Sequence, residues 1–137
     1  MRFILTSSAV FIFTLASCGE LERDDNGGPV NLSLMPVNIQ NIFTNSCTGC
    51  HEGSSAPEGL DLSENHAYDA IVNVISSEQP GLKRVEPGQP DNSYIIRKIQ
   101  GTAGIDGDRM PADGPPYLTS AQTDTIRLWI TNGAMPR

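Results

Sequence analysis

The sequence predicts an all-α domain of about four helices. Apolar residues recur at helical spacing in four separate stretches, and each stretch is bounded by capping or helix-breaking residues. Beyond the first segment of the chain, no run alternates apolar and polar residues clearly enough to predict a strand.

The first helix is predicted over Val37–Ser46, where Pro36 precedes Val37, Ile39, Ile42 and Phe43 on a mainly helical spacing. Ser63-Glu64 opens the second, running to about Ser77, with Tyr68, Ile71, Val72 and Ile75 at i, i+3, i+4 and i+7. Asp91, after Pro90, is the expected cap of a shorter helix carrying Tyr94, Ile95 and Ile99. The last helix has the fullest signature. Thr119 is its N-cap with Gln122 three residues on, Ile126, Trp129 and Ile130 share one face, and Asn132-Gly133 ends it. Lys83-Arg84-Val85 is expected to be extended.

Of the 137 residues, the first 17 read as an export signal: Met1-Arg2, then an apolar run from Phe3 to Ala16. Three of the four Phe lie in that segment, so Phe43, Tyr68, Tyr94, Tyr117 and Trp129 are the aromatics left to a mature chain. A core so poor in large side chains hints that something other than protein fills its centre. No second stretch reaches the roughly 18 apolar residues of a membrane span. One small domain is the ceiling.

Sixteen acids stand against nine bases, a net charge of -7 that becomes -8 when Arg2 leaves with the signal. That balance argues against a nucleic-acid binder, which works by neutralising phosphates. Lys83, Arg84, Arg97, Lys98 and Arg109 nevertheless fall in one 27-residue stretch.

Leu15-Ala16-Ser17-Cys18 resembles the lipobox of bacterial lipoproteins. The resemblance implies that Cys18 is lipidated, becomes the mature N-terminus and anchors the protein to a membrane. By resemblance to the sorting pattern of Gram-negative lipoproteins, Gly19 rather than Asp after it implies the outer membrane, facing the periplasm or the cell surface. From Gly19 to Met35 the chain is polar, broken by Gly-Gly-Pro and without sustained period, so residues 18–35 read as a lipidated tether and residues 36–137 as the folded domain. Fully extended, that tether reaches roughly 55 Å.

Cys47-Thr48-Gly49-Cys50-His51 is the strongest chemical signal. Two thiols spaced by two residues can each add across a haem vinyl group, and a His directly after the second is placed to ligate the iron. Two rivals remain at this point. A redox dithiol of the thioredoxin kind needs a βαβ context, and a zinc site needs further thiol or imidazole ligands, of which the sequence offers only Cys18 and His66.

A haem iron so held needs a sixth ligand or an open position. Met110 is the candidate, in the Gly- and Pro-punctuated segment Gly107-Asp108-Arg109-Met110-Pro111, which excludes helix and strand. Core Met residues seldom occupy so polar a segment. Met35 lies in the expected tether, Met135 near the C-terminus, and His66 at a helix start, where a surface or capping role is expected.

The segments Ile42–His51, Gly59–Leu62, Val85–Ser93, Arg109-Met110-Pro111 and Leu128–Ala134 together resemble a monohaem c-type cytochrome domain, particularly the planctomycete-type cytochrome c family. The resemblance spans about residues 37–135. It implies a class I cytochrome c fold with terminal helices packed across each other, one covalent haem c on Cys47 and Cys50, His51 as proximal ligand and Met110 as distal ligand. Many class I cytochromes have Gly four residues before the aromatic of the first helix, where this chain has Ile39.

With both axial positions filled, the expected function is one-electron transfer to and from redox partner proteins, not enzymatic turnover. The alternative is a haem-based sensor or peroxidase-like module with an open sixth position. Disulfide exchange through Cys47 and Cys50 is left only to a haem-free chain. Buried haem propionates need charge partners, so Arg84, Arg97 and Arg109 are candidates for contacting them, Arg109 equally as an anchor for the Met110 loop. Docking of a redox partner is the other use of this basic stretch.

Overall fold

The computed structural model describes residues 33–137. Four α-helices form its regular structure: α1 (Val37–Ser46), α2 (Ala67–Ile71), α3 (Tyr94–Gln100) and α4 (Ser120–Thr131). Short 3-10 turns sit at Pro57–Gly59 and Pro90–Asn92, and no strand occurs among the described residues, only isolated β-bridges. The domain is helical, as its sequence predicts.

α4 is the organising element because it packs against both α1 and α3. Its Ile126 and Ile130 are fully buried, beside Ile39 and Phe43 of α1 and Ile96 of α3. Ile39 is 0% exposed. A branched side chain thus lies in the core at the position where the resemblance leads one to expect Gly. The capping box forms as read from the sequence: Thr119 Oγ1 accepts from the Gln122 N–H at 3.2 Å, and Gln122 Oε1 accepts from the Thr119 N–H at 2.9 Å. Beyond Thr131 the chain folds back, so that Trp129 Nε1 donates to the Met135 carbonyl and the Tyr68 hydroxyl to that of Ala134. Tyr68 meets Trp129 edge-on, with ring centroids 6.4 Å apart.

The second helix is shorter than expected. It ends at Ile71 because Val72 turns extended (φ -75°, ψ 121°) and Asn73 takes a positive φ of 61°. The segment Val72-Asn73-Val74-Ile75, β-branched at three of its four residues, instead pairs with residues 82–85. Asn73 N–H donates to the Val85 carbonyl at 3.0 Å, and Arg84 N–H to that of Val74 at 2.7 Å. Tertiary pairing therefore prevails over the helical stripe, and Ile75, expected on its buried face, is 55% exposed. The extended reading of Lys83–Val85 holds, through bridges to Val72, Ile75 and Ser93.

Two further corrections concern helix and domain starts. Ser93, not Asp91, is the N-cap residue of α3, its hydroxyl bonding to Glu86 and Gln89 of the preceding turn, while the Asp91 carboxylate pairs with Arg127 at 2.7 Å. Met35, assigned to the tether, is 0% exposed in the core. Ser33 is buried too, and the Leu34 carbonyl accepts from the Arg137 N–H, so packing begins before Pro36. The export signal, Cys18 and most of the tether lie outside the described residues. Among the described residues, no helix is long and apolar enough to cross a membrane.

Candidate functional site

The Cys-X-X-Cys-His segment is the turn that closes α1. Cys47 N–H donates to the Phe43 carbonyl at 2.8 Å, continuing the helix's own ladder, and Thr48 N–H reaches the same carbonyl at 3.1 Å. The Cys47 carbonyl then accepts from both Cys50 N–H (3.2 Å) and His51 N–H (2.9 Å), folding the five residues into one compact turn. The two thiols are unpaired and differ in setting. Cys50 is exposed, whereas Cys47 is half-buried against the core, and that burial pushes its thiol up to about 11.

His51 is half-buried, and its Nδ1 is buried without a hydrogen-bond partner. No carbonyl of the loop that follows, from Glu52 to Leu60, accepts from this nitrogen. The chain after His51 is held from several sides. The His51 carbonyl accepts from the Leu62 N–H at 2.8 Å, and the Leu62 carbonyl accepts from Gln40 Nε2 of α1 at 3.0 Å. Asp61 accepts from the Ser63 hydroxyl and backbone N–H, which hold its carboxyl below the usual carboxylate range.

Arg84 closes this region. Its guanidinium donates to the Ala70 carbonyl at 2.9 Å, to that of Gly59 at 3.3 Å and to that of Glu58, so it clamps the loop after His51 onto the end of α2. Arg97 donates through Nε and Nη2 to the Asp91 carbonyl, away from any carboxylate. Arg109 donates through Nε to the Ile99 carbonyl at 2.9 Å and stacks its guanidinium 4.1 Å from the centroid of Tyr117. Each candidate propionate partner is thus already engaged with the protein's main chain, and each keeps N–H groups to spare.

Met110 lies half-buried in a segment without helix or strand, and its N–H donates to the Lys98 carbonyl of α3 at 2.9 Å. Its rivals are placed differently: Met35 is buried in the core, Met135 is 63% exposed, and His66, the N-cap residue of α2, has a side chain 67% exposed. Sequence reading missed the contribution of Lys98, whose side chain is only 10% exposed. A Lys inside a helical stripe gives no signal of burial until its partner is known.

Among the described residues, no group of three or more His, Cys, Asp or Glu side chains is gathered to hold a metal ion. A zinc site built from Cys47, Cys50 and a nearby third ligand is therefore not assembled there. Comparison with protein-family models, curated proteins and solved structures finds no match to this chain.

Proposed function

We propose that this protein is a one-electron carrier of the class I cytochrome c kind, holding one covalent haem c outside the cytoplasm on a lipid-anchored tether. The observation that carries the reading is the turn after α1, in which two thiols and a His with inward-facing, unpartnered Nδ1 occur in the order and spacing that thioether attachment requires. Bound haem would supply a reversible Fe(III)/Fe(II) couple.

The protein's own groups have distinct tasks. Cys47 and Cys50 would hold the macrocycle by thioether bonds, which would keep it from being lost outside the cell. His51, carried on the turn whose Cys47 carbonyl accepts from its N–H, would ligate the iron. Met110 would supply the second protein ligand to the iron; a saturated iron favours electron transfer over oxygen or peroxide chemistry, and a thioether ligand would raise the potential relative to a second imidazole. Arg109 serves the Met110 loop as an anchor through the Ile99 carbonyl and Tyr117, with its remaining N–H groups free for a propionate. Lipidation of Cys18 gives membrane attachment, and redox proteins are the partners.

The test is an absorption spectrum of the full chain exported in a strain competent for haem attachment. Expected is a low-spin c-type spectrum, haem that stays with the chain on denaturation, and a weak thioether-to-iron charge-transfer band. A high-spin spectrum with attached haem favours the sensor or peroxidase-like alternative. A colourless, well-folded protein recovered from that same strain ends the haem reading.

A further inference from the structure

The Met110 loop has no regular structure of its own, yet α3 meets it at several points along its length. Lys98 of α3 contributes twice: its carbonyl accepts the Met110 N–H at 2.9 Å, and its Nζ donates to the Asp106 carbonyl at 2.7 Å. Four residues earlier on α3, the Tyr94 hydroxyl accepts the Asp106 N–H at 2.9 Å. One residue later, the Ile99 carbonyl accepts Arg109 Nε. At the helix end Gly101, with φ +68°, leaves space for Arg109, since a Cβ there would stand 2.8 Å from Arg109 Cδ. Lys98 Nζ is itself held by Glu78 at 3.1 Å, from the turn that follows the paired 72–76 segment.

We infer that Lys98 is a positioning residue for Met110: through the Glu78–Lys98–Asp106 chain it fixes the loop from which the thioether reaches the iron. This rests on the proposed function. The physical reason is that a Gly- and Pro-rich loop has no ladder to order it, so its position depends on the few bonds made to a rigid neighbour. An ammonium 10% exposed must keep its acceptors, and those acceptors are a loop carbonyl and one carboxylate. Lost bonds would free the loop and leave the sixth position contested.

The experiment measures imidazole binding to oxidised holoprotein, with haem attachment, helicity and reduction potential recorded for each variant. Met110→Ala sets the value for an open position. Lys98→Met, which keeps the aliphatic stem, is expected to bind imidazole roughly tenfold more tightly than wild type, the size of one charge-assisted hydrogen bond. Its potential should fall, haem should stay attached, and Lys98→Arg should restore most of the wild-type behaviour. Glu78→Gln, which leaves the lysine in place, should move both readouts the same way by less, and it carries the test if Lys98→Met does not accumulate. Wild-type imidazole affinity and potential in Lys98→Met or, failing that variant, in Glu78→Gln, alongside a clear effect of Met110→Ala, would overturn the positioning role alone. Wild type binding imidazole as tightly as Met110→Ala would remove Met110 from the iron, and the role of Lys98 with it.

Discussion

Cys47 finds its backbone acceptor at Phe43, four residues back in the same helix, whereas Met110 finds its own at Lys98, twelve residues back in another element. The two halves of the candidate site are built by different physics. The Cys47–His51 turn extends the α1 ladder, and α1 is fastened by Ile39 and Phe43 to the core it shares with α4. The Met110 loop depends on side chains of α3 and on an Arg stacked over Tyr117. The first half should therefore be as stable as the fold, while the second can loosen with the fold intact.

The largest effect tests the first half. Cys47→Ala or Cys50→Ala should abolish or greatly reduce covalent holoprotein, because one thioether cannot fix both sides of the macrocycle. Haem-stained denaturing gels report it. Undiminished covalent haem in the Cys50→Ala variant would break the reading of this turn.

Met110→Ala is expected to act on the second half only. Haem should remain attached, the charge-transfer band should vanish, the potential should fall, and azide or cyanide should bind more tightly. Retention of that band would return ligation to another side chain. Met35 is an unpromising substitute, since exposing it means opening the core.

The same contrast governs what was legible in the sequence. Thr119 and Gln122 announce α4 because both halves of a capping box are local, and Cys47–His51 announces its chemistry because the spacing is itself the chemistry. Ile71 to Ile75 misleads for the opposite reason. Its stripe fits a helix, but backbone bonds with Arg84 and Val85, ten to fourteen residues on, decide the backbone. Lys98 and Arg84 were legible only as charges, because burial and carbonyl clamping are properties of the assembled fold. Met35 was read as tether since nothing next to it in the chain shows the core it enters.

A smaller effect separates the two thiols within one turn. A thiolate is the nucleophile in alkylation, and burial raises Cys47 to about 11. In folded, haem-free protein at pH 8, iodoacetamide should modify exposed Cys50 at least tenfold faster than Cys47, whose rate should then climb with pH. The unfolded chain loses this proton near 9.0, but the folded chain keeps it until about 11. Between those values the folded state binds more protons, so its stability falls as pH rises; below 9.0 this contribution is fully present. Equal alkylation rates at pH 8 would mean that the turn is not formed without haem.

The smallest expected effect is the control for the whole comparison. Thr119→Ala removes the acceptor for the Gln122 N–H at the start of α4 and should cost about 1 kcal/mol, or roughly 5 °C in melting temperature. α4 packs on α1 and α3 alike, so the loss is spread over both halves of the site and centred on neither. If the Met110 loop is held by its own bonds to α3, this variant should lose stability with unchanged imidazole affinity and potential. A rise in imidazole affinity equal to that in Lys98→Met would mean that any global weakening opens the sixth position. The loop would then have no separate stability, and the distinction between a turn held by its own helix and a loop held by a neighbouring one would collapse into a single cooperative unit.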